Sequence, residues 1–301
     1  MSTSLILEGG GYRGQFTSGV LDIFMEQGLY FDAVYAVSAG SLNAMGYLAH
    51  QIGRANRINL AFRDDKRYMG WSSFLTSGSI VSPEFMYQVI QDEIDPFDYT
   101  SFNLQAKRTS FYSVVSEMSL GQPEYHKIEV LPRDIDWVRA SATLPVVSKK
   151  VQLEGKYYLD GGITDAIPLN KSLADGHTKH VVVLTQHREF IKKPYAYPRI
   201  SRLRYEEFPK FLQALETRHI LYNDLRQKIF RMEKADELVV VCPPVPVNIK
   251  QIEHGGPQLL DLYIKGRHEA SATLDKIRSY LGEEAHVSKK SSLPHNCYAK
   301  L

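Results

Sequence analysis

Two short apolar segments near the N-terminus each stop at a cluster of small residues and then give way to helical periodicity. Leu5-Ile6-Leu7 runs into Gly9-Gly10-Gly11; Phe16, Val20 and Phe24, with Leu21 and Ile23, then recur at helical spacing until Gly28. Phe31 to Val37 reads as a second strand turning at Ser38-Ala39-Gly40, and Leu42, Met45, Leu48 and Ile52 continue as a helix. A strand–helix–strand–helix order predicts an α/β fold with a mostly parallel central sheet flanked by helices, because parallel neighbours need a crossover long enough to hold a helix.

Further strands are expected at Thr109–Val115, at Tyr157-Tyr158-Leu159 running into Asp160-Gly161-Gly162, at His180–Thr185 and at Leu238–Val241. A helix is expected over Ile135–Ala142. Pro209 suits a first helical position, and Phe211, Leu215, Tyr222, Leu225 and Ile229 form an apolar stripe behind it. Leu259–Leu281 is a last amphipathic helix. Residues 53–105, rich in aromatics and turn residues, predict helices and loops. Without repeats or a low-complexity linker, the chain reads as one domain. Its catalytic part spans 4–185, an extension packed on it spans 186–285, and 286–301 is a polar, loose tail.

At 301 residues and 44% hydrophobic content the chain buries a sizeable core. The formal charge of +2 calls for no nucleic-acid partner over the whole surface. Cys242 and Cys297, the two cysteines, do not make a disulfide framework, which points to a reducing compartment. No signal-peptide pattern opens the sequence, and no apolar run nears the roughly 18 residues of a membrane span. The expected location is cytoplasmic, with peripheral membrane association as the alternative.

Gly9-x-Gly11-x-x-Gly14 fits two readings. A dinucleotide site also wants an acidic residue at the end of the second strand, but Asp32 stands at its start. Alternatively, a glycine loop opening a helix exposes N–H donors to the oxyanion of a tetrahedral intermediate, with Arg13 buttressing the loop or meeting an anionic part of a substrate. A plain strand–helix turn explains the glycines equally simply.

Ala36-Val37-Ser38-Ala39-Gly40 is one residue away from G-x-S-x-G, the turn that lifts a serine above the end of a sheet. Alanine replaces the first glycine, adding a methyl where helix and strand approach. The bland reading makes Ser38 a helix N-cap. In a parallel sheet, however, the glycine loop and the elbow lie at the same strand edge, facing each other.

A serine nucleophile needs a base. Among ten histidines, only His187 lies shortly after a strand. Asp160-Gly161-Gly162 is the better strand-end constellation, with Asp165 the nearby runner-up; an ordinary Asp-Gly turn is the simpler alternative.

Together, Gly9-Gly10-Gly11-Tyr12-Arg13-Gly14, the Ser38 elbow, Ala140-Ser141-Ala142-Thr143-Leu144-Pro145 and Asp160-Gly161-Gly162 resemble the ordered motifs of patatin-like phospholipases over roughly residues 4–185. The resemblance implies a three-layer α/β/α fold and a Ser38–Asp160 dyad without histidine. It implies an oxyanion hole from Gly9, Gly10, Gly11, Arg13 and Gly14, with Ala36, Gly40, Gly161 and Gly162 supporting the motifs. The expected reaction is fatty-acyl ester hydrolysis of (phospho)lipids through an acyl-enzyme, with no cofactor or metal. A small-ester or thioester hydrolase and, more remotely, a nucleotide-binding or catalytically dead binding protein remain open. Phe62, Trp71, Phe74, Leu75, Phe85 and Met86 are candidates for an acyl pocket. The basic and aromatic stretch 188–205 suits either a solvated loop or peripheral membrane contact.

Overall fold

The computed structural model describes residues 2–68, 78–249 and 255–282. Its centre is a sheet of eight strands: β1 (Thr3–Leu7), β2 (Ala33–Val37), β3 (Ser110–Glu117), β4 (Gln122–Lys127), β5 (Val151–Leu153), β6 (Lys156–Asp160), β7 (Lys179–Val183) and β8 (Val239–Val241). The order is β5-β6-β3-β2-β1-β7-β8, with β4 also paired to β3. The β1–β2, β1–β7, β2–β3 and β7–β8 pairs are parallel; β3–β4, β3–β6 and β5–β6 are antiparallel. The sheet is therefore mixed but mostly parallel.

Alternation along the strands explains the three layers. Leu5 and Leu7 of β1 face one side, against α1 (Gly14–Glu26), α2 (Ala39–Leu48) and the C-terminal helix (Gly256–Leu281). Ile6 faces the other side, against a short helix (Leu169–Ala174) and a long one (Pro209–Lys234). All three side chains are fully buried, each contributing about 1.5–3 kcal/mol. β1 is apolar on both faces because helices cover both.

The remaining helices are α3 (Arg54–Phe62), a π-helical segment (Phe85–Ile94), and helices at Tyr99–Gln105, Ile135–Ser141 and Pro198–Arg204. The helix expected to reach Ile52 ends at Leu48, and Ile52 is exposed. The strand at Gln122–Lys127 carries no apolar alternation and gave no signal in the sequence. Among the described residues, no helix is long and apolar enough to cross a membrane. The tail 286–301, Cys297 included, lies outside the described residues.

β3 positions the site. Along one edge it pairs throughout with β4, from Tyr112 to Glu117. Its other edge is shared end to end: β2 pairs with Ser110–Val114 and β6 with Val115–Glu117. β2 runs with β3 and β6 runs against it, so their C-terminal ends meet. Val37 stands opposite Val114, and Asp160 opposite Val115. Each chain must turn off the sheet there.

Candidate active site

At the end of β2 the chain turns at Ser38, whose backbone sits at φ 56°, ψ −124°. Few non-glycine residues adopt positive φ, and such strain concentrates at functional turns. The Ser38 N–H donates to Ser141 Oγ (2.9 Å), and Ser141 meets Ser41, which accepts from Ser113. This buried serine network fixes the elbow from below. Ala36, the departure from the glycine motif, is fully buried in the core, and Gly40 lies against the Leu7 and Glu8 carbonyls.

Asp160 ends β6. Its N–H donates to Thr143 O (2.9 Å), tying it to the segment after the Ser141 helix. The following Gly161 is required: a Cβ there would lie 2.1 Å from the Val114 carbonyl oxygen. The Gly162 N–H donates to Asp160 Oδ1 (2.7 Å), and Ser38 Oγ donates to Asp160 Oδ2 (2.6 Å). Burial holds the Asp160 carboxyl above its ordinary pKa; the hydrogen bonds from Ser38 and Gly162 and the charges of Arg218 and Lys192 oppose it.

Asp165 is turned elsewhere. It accepts from Tyr125 Oη (2.7 Å), and burial pushes its pKa up to about 6. His187 lies beside Phe190. No histidine among the described residues lines either cavity that meets Ser38. Asp32 closes the opposite end of β1, accepting from the Thr3 N–H (2.7 Å) and hydroxyl (2.9 Å), far from a ribose position beside the glycine loop.

The glycine loop leaves β1 beside the elbow. Gly9 lies against Ser38 and Val37, Gly14 against Ala39. Gly11 is at φ 55°, which turns the loop into a short 3-10 helix ahead of α1. Among the described residues, the N–H groups of Gly10, Gly11 and Ala39 have no hydrogen-bond partner. Buried Glu8 anchors the loop: it accepts from the Thr185 N–H (2.6 Å) and from Tyr222 Oη (2.5 Å).

Two cavities meet at Ser38. One, about 160 Å³, is mainly apolar and includes Leu42, Met45, Ile58, Val81, Met86 and Ile90. Of the expected acyl-pocket residues, Met86 lines it. Phe62 and Phe85 do not line it; they pack edge-to-face with each other (5.5 Å) in the cluster behind its wall, against which Ile58, Tyr68, Val81, Met86 and Ile90 also pack. Trp71, Phe74 and Leu75 lie outside the described residues. The second cavity, about 390 Å³, is lined by Gly10, Ser38 and Asp160 together with Arg13, Lys192 and Arg218.

Arg218 went unrecognised in the sequence. It continues the stripe Leu215–Tyr222–Leu225–Ile229 at helical spacing, and a charge on an otherwise apolar face was the available signal. The basic 188–205 stretch divides: Arg188 pairs with Glu233, Arg202 with Glu216, and Arg204 donates to Ser148 O, whereas Lys192 turns inward over the Tyr222 ring (3.9 Å).

A strained serine on a strand-end turn, with a carboxylate and a ring of free N–H groups, belongs to the α/β ester hydrolases as a class. The chain belongs to the patatin-like phospholipase family, whose model matches residues 5–171, more than half its length. A domain of unknown function matches residues 208–282. The chain is 27% identical over 292 residues to the uncharacterized protein YjjU of Escherichia coli, covering 95% of this chain and 81% of that one. It is 27% identical over 179 residues to lysophospholipase nte1 of Aspergillus terreus, covering 57% of this chain and 11% of that one. VipD from Legionella pneumophila superposes with a TM-score of 0.45 at 12% identity, over 91% of this chain and 67% of that one. Family membership supports lipid-ester hydrolysis as the general activity.

Proposed function

We propose that the chain is a serine acyl hydrolase cleaving fatty-acyl esters of (phospho)lipids through a Ser38–Asp160 dyad. The observation carrying this reading is the 2.6 Å hydrogen bond from Ser38 Oγ to Asp160 Oδ2, made by a serine on a strained elbow. Asp160 takes the hydroxyl proton as Oγ attacks the ester carbonyl. The Gly10, Gly11 and Ala39 N–H groups hold the oxyanion. The leaving alcohol departs with the proton, and an acyl-enzyme remains on Ser38. Water then gives its proton to Asp160 and its oxygen to the acyl carbon, releasing the fatty acid and restoring the serine. Burial supports the dyad by making Asp160 a stronger base than an exposed carboxylate.

The apolar cavity takes the acyl chain in this reading. Residues 186–285 act with 4–185 as one catalytic unit, since they contribute Lys192 and Arg218 to the second cavity. Ile200 lines that cavity, and in the same stretch exposed Ile191 (73%) and Leu203 (80%) are interleaved in sequence with Lys193 and Arg199, a pattern that supports peripheral contact with an anionic lipid surface. The decisive experiment is fluorophosphonate labelling followed by peptide mass spectrometry. Modification of Ser38, lost in Asp160→Asn, is expected; a labelled peptide lacking Ser38 rejects the assignment. Turnover of short esters only would leave a small-ester or thioester hydrolase.

A further inference from the structure

We infer that Lys192 and Arg218, with Arg13, form a phosphate-binding subsite beside Ser38 that selects acyl esters carrying a phosphate headgroup. This rests on the hydrolase reading for its use but not for its geometry.

The two cavities meeting at Ser38 have opposite chemistry. The mainly apolar one carries its two arginines, Arg54 and Arg139, already paired with Asp95 and Asp136; the wider one brings two guanidinium groups and an ammonium together beside one carboxylate, Asp160. Among the described residues, none of the three cations has a carboxylate within salt-bridge distance, although other basic residues of the same region do. The Nε atoms of Arg13 and Arg218 are buried with no hydrogen-bond partner. Buried unsatisfied donors are costly and rare, and they call for a ligand that completes them. Lys192 lies over the Tyr222 ring, so its charge is held by a cation–π contact rather than an anion. Glu8 lies close enough for its charge to favour the protonated forms of Arg13 and Lys192, but among the described residues it forms no ion pair with any of the three cations; its hydrogen bonds come from the Thr185 N–H and Tyr222 Oη.

Asp160 has its own hydrogen bonds, so the cations are not needed to hold it. Arg218 and Lys192 instead lower its basicity. A bound phosphate reverses that: it satisfies the cations and screens them from Asp160, so the base is strongest when a phosphate-bearing substrate is in place. Arginine forks suit phosphate oxygens in particular. A glycerol ester whose acyl chain enters the apolar cavity sets its carbonyl at Ser38 and its phosphate among the three cations. Lys192 and Arg218 lie beyond residues 5–171, so the preference is supplied by the segment after the family domain.

The test compares kcat/KM for 1-oleoyl-glycerol 3-phosphate with that for 1-oleoyl-glycerol in the wild type, Lys192→Met, Arg218→Gln and the conservative Arg218→Lys. Binding of the phosphorylated lipid and of inorganic phosphate to Ser38→Ala protein is measured by titration calorimetry. We expect the wild type to prefer the phosphate ester about 10- to 100-fold, the gain from charge-assisted hydrogen bonds. The Met and Gln variants erase most of that ratio and the Lys variant restores part of it, at unchanged melting temperature. A wild-type ratio near one, or a ratio unchanged in well-folded variants, overturns the subsite. Inorganic phosphate binding as tightly as the lipid overturns the headgroup assignment and gives the site to free phosphate. If fluorophosphonate fails to label Ser38 but Ser38→Ala still binds the phosphorylated lipid through Lys192, the hydrolase reading falls and the anion site stands.

Discussion

Ser38 donates its hydroxyl to Asp160 over 2.6 Å while its own backbone is held at φ 56°, a conformation that suits glycine better than serine. The neighbours hold it there: the N–H is taken by Ser141, and Gly9 packs against its Cβ. Backbone strain of this kind costs about 1–3 kcal/mol.

The strain is separable from the chemistry. Ser38→Ala and Ser38→Gly both remove Oγ, and each should lose ester turnover and fluorophosphonate labelling. Glycine relieves the backbone, so Ser38→Gly should be more stable than Ser38→Ala by about 1 kcal/mol in denaturant unfolding. Equal midpoints would show that the elbow stores no strain.

Asp160→Asn keeps the shape of the side chain but cannot accept the proton, and turnover should fall by about 10³-fold or more. In the wild type, kcat/KM on a neutral ester should rise with pH through a midpoint above the ordinary carboxylate range, since the base works deprotonated. Stability should move the opposite way. A raised folded-state pKa means this group favours folding at low pH and loses that contribution as pH climbs through the folded pKa. The melting temperature of Asp160→Asn relative to wild type should therefore increase from pH 5 to pH 8. A constant difference would contradict burial as the cause.

Gly10→Ala and Gly11→Ala should each lower kcat by about 10²-fold, as when an oxyanion donor is displaced, and cost about 1 kcal/mol of stability through local strain. At Gly10 the added methyl meets Thr185 Oγ1 at 2.8 Å; at Gly11 it meets a positive φ. Variants that lose stability but keep kcat would reduce the loop to a turn.

Phosphate-bearing and neutral esters should differ in pH dependence. Lys192 faces Arg218, Arg13, Glu8, Asp160 and the Tyr222 ring; burial, aided by Arg218 and Arg13 against the pull of Glu8 and Asp160, pushes it down to about 7. Only its protonated form attracts an anion. The kcat/KM profile for the phosphate ester should fall above about pH 7, and that for the neutral ester should not. Parallel profiles would mean that Lys192 does not touch the headgroup.

Medium and long acyl p-nitrophenyl esters should be preferred over acetate, because each methylene entering the apolar cavity contributes about 0.8 kcal/mol. Ile58→Trp, which narrows that cavity, should move the optimum to shorter chains without lowering acetate turnover. An optimum at acetate in the wild type would rule out an acyl slot.

The parts of the site legible in the sequence are local events at strand ends. The glycine loop, the elbow and the Asp-Gly-Gly turn each announce a chain leaving a sheet, and small residues are the physical requirement there. What stayed hidden depends on distant packing. Phe85 looked like a pocket residue because its burial against Phe62 and Tyr68 has no local signature. Gln122–Lys127 is a polar strand whose backbone, among the described residues, pairs with β3 alone. Arg218 was concealed inside an apolar stripe, and Lys192 in a basic stretch where Arg188 and Arg202 pair with carboxylates.

The meeting of two strand ends on one edge of β3 also bears on when the protein becomes reactive. Asp160 lies 122 positions after Ser38, so all of that stretch must be synthesised, and β6 must dock, before the pair exists. A chain emerging from the ribosome carries Ser38 early, and on the proposed mechanism stays inert until that late, long-range closure. A misaligned β6 would separate the two groups by a full rung. In the proposed hydrolase the topology works as a built-in delay: only molecules that have finished folding carry the assembled pair.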